Sequence, residues 1–302
     1  ERLEDALQRG AVAVVGEKQV PGLDTYFRVE DARRTLGELA SAWYGFPSSK
    51  LTMIGVTGTD GKTTTTNLIF HMLRAAGYRA GMISTVNAVI GSRELDTGFH
   101  VTTPDALELQ RILARMVAAG LTHCVLEATS HGLGQQRVAG VAFDLGVITN
   151  ITHEHLDYHG TYEAYRNAKA HLFDLVRRAG EKPFDPPRAA VINRDDESYQ
   201  FLAGRTAGMR TVSFGAHPQA DVRVESLRST LSGLKFEAVG PDWRQLVENS
   251  MYGEYNVSNI LAAMALLVEG MGMDAGIAAA GAASMPGIPG RMERIDLGQD
   301  FT

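Results

Sequence analysis

Short apolar runs alternate with amphipathic stretches along most of the chain, and this rhythm predicts strands alternating with helices. Residues 51–56 are apolar except for Thr52, as a strand covered on both faces should largely be. Residues 63–76 repeat apolar positions at Leu68, Ile69, Met72 and Leu73 and stop at Gly77, which predicts a helix. Residues 79–85 read as the next strand. Residues 104–119 read as a helix with Thr103 as N-cap, Pro104 at its first position and Gly120 beyond its end. Strands are predicted over 123–128, 145–151, 189–192 and 211–214. Between them, 161–178 is a helix with Tyr162, Tyr165, Leu172, Phe173 and Val176 on its apolar side.

Such alternation implies βαβ units, hence an α/β fold with a mostly parallel sheet flanked by helices. Residues 221–247 break the rhythm. Val222, Val224, Leu234, Phe236 and Ala238 alternate with polar residues, and Ser232-Gly233 and Gly240-Pro241 supply turns, so a small antiparallel hairpin is predicted there. Helices are expected over 256–270 and 275–283. The first 48 residues mix an apolar run at 11–15 with a helical pattern at 32–43, then meet a linker-like Pro47-Ser48-Ser49. This looks like part of a small α/β unit.

Composition narrows the function classes. The 302 residues carry a formal net charge of −6, which offers no basic field for nucleic acid or an anionic membrane. No apolar stretch reaches the ~20 residues that span a bilayer. Cys124 is the single cysteine and lies in an apolar run, so no disulfide framework forms within the chain, and a reducing cytoplasm is the expected setting. The start has no signal-peptide features and no initiator Met, and a fragment is expected.

Strand, Gly58-Thr59-Asp60-Gly61-Lys62-Thr63 and helix follow one another in the order of a phosphate-binding P-loop. Glycines let the backbone turn and approach, amide N–H groups surround phosphate oxygens, and the helix N-terminus adds partial positive charge. Lys62 would reach terminal phosphates and Thr63 would offer a hydroxyl to Mg²⁺. The strict pattern has its first glycine where this chain has Val56, so the match is to the shorter Gly-x-x-Gly-Lys-Thr form. A plain glycine turn with a surface lysine is the alternative. Asp60 is awkward, because a carboxylate beside phosphates repels them.

Glu127 ends an apolar strand, at the edge where such sheets bind ligands, and fits a hard oxygen ligand for Mg²⁺. A strand-end carboxylate in water is the other reading. His153, His155 and His159 fall within seven residues, which points to a metal or catalytic site. Zinc ranks below Mg²⁺, since the P-loop already implies the latter. An ordinary polar loop is the alternative. Lys169 lies one turn after Tyr165 and one before Phe173, and by itself reads as a snorkelling lysine.

Together these segments resemble the Mur ligase family, most closely its branch of UDP-N-acetylmuramoyl-dipeptide ligases (MurE). The resemblance rests on residues 55–65, Thr102-Thr103-Pro104, Leu126 through Leu133 with Arg137-Val138, residues 149–160 with Lys169, residues 253–259, and Gly290-Arg291-Met292-Glu293. It runs over nearly the whole chain. It implies an ATP-dependent amide ligase of cytoplasmic peptidoglycan precursor synthesis, which adds a third amino acid, L-lysine or meso-diaminopimelate, to UDP-MurNAc-L-Ala-D-Glu through an acyl phosphate. Carried over by position, Gly58, Thr59, Asp60, Gly61, Lys62, Thr63 and Thr64 would hold ATP phosphates, with Asn256 and Asn259 on the adenine side. Thr63, Glu127 and His155 would be Mg²⁺ ligands. Thr102, Thr103, Ser130 and Arg137 would contact the UDP-linked substrate. Lys169 matches a lysine that the family carbamylates into an anionic metal ligand, which reverses the snorkelling reading. Lys62, Lys169 and His155 would then be catalytic.

The resemblance also implies a three-domain parent: 1–48 as a remnant of the N-terminal UDP-binding domain, 49–290 as the central ATP-binding domain, and 291–302 as the start of a linker to an absent C-terminal domain. A monomer with little turnover of its own is expected. Competing readings are a related ligase for another peptide or polymer, and an ATP-binding module without catalysis.

Overall fold

The computed structural model describes residues 2–20, 22, 25–96, 102–230 and 233–292. The predicted turn residue Ser232, motif residue Glu293 and the rest of the proposed linker to 302 lie outside them. At the N-terminus, α1 (Arg2–Gln8) precedes β1 (Val14–Gly16) and β2 (Tyr26–Arg28), which pair in parallel. Helix α2 (Ala32–Trp43) is capped by Asp31, whose carboxylate accepts from the Arg33 and Arg34 amides. It packs through small residues. A Cβ on Gly37 would come within 2.6 Å of the Ala139 carbonyl, so close approach requires glycine there.

The main body begins with β3 (Thr52–Thr57), buried at every position, and α3 (Lys62–Ala75). Then come β4 (Ala80–Ile83), β5 (Asn87–Ile90), β6 (Arg93–Asp96) and α4 (Ala106–Ala118). Next are β7 (His123–Glu127), the short α5 (Ser130–Gly134), β8 (Leu145–Ile148), the short α6 (Leu156–His159) and α7 (Tyr162–Arg178). The chain continues with β9 (Ala189–Asn193), α8 (Tyr199–Arg205), β10 (Thr211–Gly215), β11 (Val222–Thr230), β12 (Gly233–Val239) and β13 (Arg244–Asn249). Helices α9 (Tyr255–Met264) and α10 (Ala275–Ala283) follow.

The sheet order is β13-β12-β11-β10-β9-β8-β3-β7-β4-β5-β6. From β11 through β4 the neighbours are parallel, and antiparallel strands extend both edges. Strand β3 is the switch point: β7 and β4 lie to one side of it, β8 to β10 to the other. Ligands bind such sheets beyond the strand C-termini at the switch. Ile54 and Val56 pack on one layer with α3, α9 and α10, while Met53 packs on the other with α4 and α7. Alternate residues of one apolar strand thus serve both layers.

The α/β expectation holds, with four local differences. The expected hairpin over 221–247 is a three-stranded meander, β11-β12-β13, whose first strand also pairs in parallel with β10. The strand expected to reach Thr85 stops at Ile83 and turns into the β5–β6 hairpin. Helix α4 starts two residues later than its Pro signal, because the Asp105 carboxylate accepts from the Glu108 amide and makes the stronger cap. Thr103 is engaged elsewhere. The helix expected over 256–270 leaves α geometry at Ala265–Gly270, a π-helical turn.

Candidate active site

The turn after β3 is built for close approach. Gly58 has φ +155° and Gly61 has φ +77°, and a Cβ on either would collide with a side chain, Thr149 for the first and Asn259 for the second. Neighbouring segments pin the turn through its peptide groups. The Asp60 amide donates to Asn150 Oδ1 at 2.8 Å, and its carbonyl accepts from Thr149 Oγ1 at 2.6 Å. The Thr59 hydroxyl accepts from the Thr152 amide at 2.9 Å and meets Tyr165 OH at 3.0 Å. The Asp60 side chain is exposed.

Both site lysines rest on this turn. Lys62 Nζ donates to the Thr59 carbonyl at 2.7 Å, and Lys169 Nζ donates to the Gly58 carbonyl. Lys169 is 2% exposed and its Nζ lies 4.4 Å from the centre of the Tyr165 ring. A snorkelling side chain would reach water, so that reading fails. Desolvation first, then the nearby Lys62 charge, holds the Lys169 amine well below the usual lysine range. Desolvation also lowers Lys62, opposed by Glu127, Glu154 and Asp60.

Glu127, 1% exposed at the end of β7, faces the P-loop helix. Its Oε1 accepts from Thr63 Oγ1 at 3.1 Å and Thr85 Oγ1 at 2.9 Å, and its Oε2 accepts from the Thr85 amide at 2.9 Å. Among the described residues it makes no ion pair with lysine or arginine. A buried carboxylate held by hydroxyl and amide donors beside a threonine hydroxyl presents hard oxygens, which fit Mg²⁺. No group of three His, Cys, Asp or Glu side chains able to hold a metal occurs among the described residues.

Two adjoining cavities meet here. The larger, 880 Å³, is lined by the P-loop, Glu127, Asn256, Asn259, Tyr255 and Arg291 among others. The smaller, 330 Å³, is lined by Ser130, His131, Arg137 and Lys169. Lys62, Thr102, Thr129, Glu154 and His155 border both. The expected residues therefore gather around one divided cleft, with two distinctions. Asn259 lies against Gly61, its Nδ2 donating to Asn256 Oδ1 at 2.9 Å, so this pair braces the P-loop helix as well as the cavity wall. Thr103 is fully buried and works inward: its hydroxyl accepts from the Thr129 amide at 3.0 Å and its carbonyl accepts from Arg137 Nη1 at 2.9 Å.

His155 has φ +53°, an uncommon backbone conformation that turns the chain into α6. Its Nε2 lies 3.6 Å from Glu154 Oε2, and its ring packs edge-on against His131, centroids 5.0 Å apart. Burial first, then the neighbouring His155, lowers the pKa of His131. The sequence reading missed Glu154, His131, Tyr165 and Thr85. Glu154 and His131 sat inside motifs already quoted; Tyr165 was assigned only to the apolar face of its helix.

The sequence pattern of the Mur ligase middle domain matches residues 56–267. A UDP-N-acetylmuramyl-tripeptide synthetase of Roseiflexus sp. (strain RS-1) is 42% identical over 99% of this chain and 60% of its own length. A UDP-N-acetylmuramoyl-L-alanyl-D-glutamate–2,6-diaminopimelate ligase of Geobacillus kaustophilus (strain HTA426) is also 42% identical over 99% of this chain and 60% of its own. A solved structure of a ligase of the latter name superposes with a TM-score of 0.83 at 32% identity, over 95% of this chain and 57% of the other. The chain spans about 60% of the length of these curated relatives.

Proposed function

The chain belongs to the Mur ligase family through its middle domain, and from that premise we propose that it forms the ATP-binding and carboxylate-activating part of a UDP-MurNAc-tripeptide synthetase. The single observation that carries this reading is the divided cleft in which Lys62, Thr63, buried Glu127 and buried Lys169 stand together. The larger cavity suits a nucleotide: amides and Lys62 at the P-loop end, then Met251, Tyr255, Asn256 and Ile288 as an apolar and amide-bearing wall. The smaller cavity, with Arg137, Ser130 and His131, suits the anionic UDP-MurNAc-L-Ala-D-Glu. Residues 1–48, 49–290 and 291–302 then divide as end of an N-terminal domain, central domain and linker. We place the protein in the cytoplasm, as a monomer.

In this reading the dipeptide's free carboxylate takes the γ-phosphoryl group of ATP, and the amine of lysine or diaminopimelate then attacks the acyl carbon, expelling phosphate and losing a proton. Two anions must first be brought together. Thr63, Glu127 and His155 would hold Mg²⁺, whose positive charge would offset their repulsion. Lys62 contributes by exchanging the Thr59 carbonyl for a phosphate oxygen. Thr149 and Asn150 keep the turn open by holding Asp60's peptide. Burial lowers the Lys169 pKa and so favours the neutral amine, which is the form that adds CO₂; its Nζ would bond to the carbon, lose a proton and become an anionic carbamate ligand.

The test is product formation by the full-length protein with UDP-MurNAc-L-Ala-D-Glu, ATP and a panel of amino acids. Formation of the tripeptide precursor with lysine or diaminopimelate is expected. ATP binding without any such product would instead favour a catalytically silent nucleotide module.

A further inference from the structure

Thr85 lies outside every motif that marked the site, yet it holds the buried carboxylate from two directions. Strand β4 ends at Ile83, and the chain bends at once. The bend is made by Ser84, 1% exposed, whose hydroxyl accepts from the Val86 and Asn87 amides at 3.3 Å each. It turns the next residue so that the Thr85 amide meets Glu127 Oε2 and the Thr85 hydroxyl meets Glu127 Oε1, both at 2.9 Å. The same hydroxyl lies 3.1 Å from Thr102 Oγ1, on the wall common to both cavities. A carboxylate gripped at both oxygens keeps one rotamer, and its remaining lone pairs keep one direction. Thr63 approaches Oε1 from the P-loop side, so the orientation that Thr85 imposes also sets the gap between the Glu127 and Thr63 oxygens.

We infer that Thr85 is a positioning residue for the cation: through its hydroxyl it fixes Glu127 for a divalent metal bound with nucleotide and ties that carboxylate to Thr102. The inference rests on the nucleotide–metal reading of the larger cavity. The isosteric change Thr85→Val removes the hydroxyl and keeps the amide, whereas Thr85→Ser keeps both.

The experiment titrates Mn²⁺ into the 302-residue chain with saturating ADP, reading free Mn²⁺ by electron paramagnetic resonance. ADP affinity without metal is measured alongside. Loss of one charge-assisted hydrogen bond to a metal ligand should weaken Mn²⁺ by about tenfold in Thr85→Val. Thr85→Ser should stay within about twofold of wild type, and metal-free ADP affinity should not change in either. Wild-type Mn²⁺ affinity in Thr85→Val overturns the inference. So does equal weakening in both variants, or a parallel loss of metal-free ADP binding, since each would mean the threonine only supports the fold. A wild-type chain that takes up no Mn²⁺ with ADP refutes the cavity reading itself.

Discussion

Gly61→Ala isolates the geometry on which the phosphate site depends. Gly61 has φ +77° and caps α3 without a side chain. An alanine there pays about 1–2 kcal/mol for the left-handed backbone alone. Its Cβ would also overlap Asn259 Oδ1 and stand 3.0 Å from Asn259 Cγ. Asn259 is buried at 5% exposure, donates to Asn256 at 2.9 Å and accepts from Thr65 Oγ1 at 3.4 Å, so it cannot step aside without loosening both bonds. One good and one long hydrogen bond add about 1–2 kcal/mol. The whole change should cost roughly 2–4 kcal/mol, lower Tm by roughly 3–6 °C and weaken ADP by at least about tenfold. Thermal melts and ADP titration check this, and a double-mutant cycle separates the two causes. In an Asn259→Ala background the overlap is gone, so Gly61→Ala should cost only the backbone share. An equal penalty in both backgrounds, or a Tm within about 1 °C of wild type, would refute the reasoning.

Three further substitutions carry expected outcomes. Lys169→Met should hold the fold at neutral pH to within about 1 kcal/mol, because a buried amine exchanged for an apolar chain loses one hydrogen bond and escapes its desolvation cost; a ¹³C-carbamate NMR signal under ¹³CO₂ should appear in wild type and vanish in the variant. Lys169 sits well below its ordinary 10.5, so the unfolded chain binds the extra proton and wild-type stability rises with pH through the window below 10.5; urea midpoints of Lys169→Met should show a shallower rise. Burial holds His123 at about 4 against 6.5, so the stability this ring contributes is complete above pH 6.5 and lost as pH falls toward 4, and His123→Gln should flatten that acid limb in urea melts. Lys182→Met strands Asp144, which is fully buried and accepts from Lys182 Nζ at 2.5 Å and from the Met53 amide at 2.7 Å. The loss should be about 3–5 kcal/mol by chemical denaturation, with most of it recovered in Asp144→Asn/Lys182→Met.

How far the sequence could be read depended on whether each feature is local. Strand, glycine turn, lysine and helix are consecutive in the chain, so the phosphate loop was legible from residues 52–75 without any tertiary knowledge. The depth of Lys169 was not. Helical spacing placed it near the apolar side of α7, but only the approach of the Gly58 carbonyl across 111 residues decides that the amine stays inside. Thr103 was read as a cap because it precedes a proline. Its hydroxyl instead accepts from the Thr129 amide in the interior, and Asp105 caps the helix. Thr85 carried no signal, since its role comes from a one-residue bend after β4 that a strand pattern does not encode. The third strand of the meander was hidden by polar alternation: β13 buries only Val247 and Asn249.

Asp60 shows why residue type alone misled within an otherwise legible motif. A carboxylate among phosphates should repel them, and by that rule position 60 argues against an anion site. The turn, however, uses the peptide of this residue and leaves its side chain exposed. The amide and carbonyl of Asp60 are both bound by Asn150 and Thr149, so what the P-loop requires there is a backbone held at a fixed angle, which many residue types can supply. Toward Lys62 and Lys169 the carboxylate acts in the opposite sense, raising both amines against the desolvation that lowers them. Water screens an exposed charge far more than a buried one. The repulsion Asp60 would exert on a phosphate is thus weakened by solvent, whereas Lys62 would meet the same phosphate in a partly desolvated setting where its attraction is strong. The balance therefore favours an anion, and the residue that most opposed a phosphate site in the sequence is compatible with one in the fold.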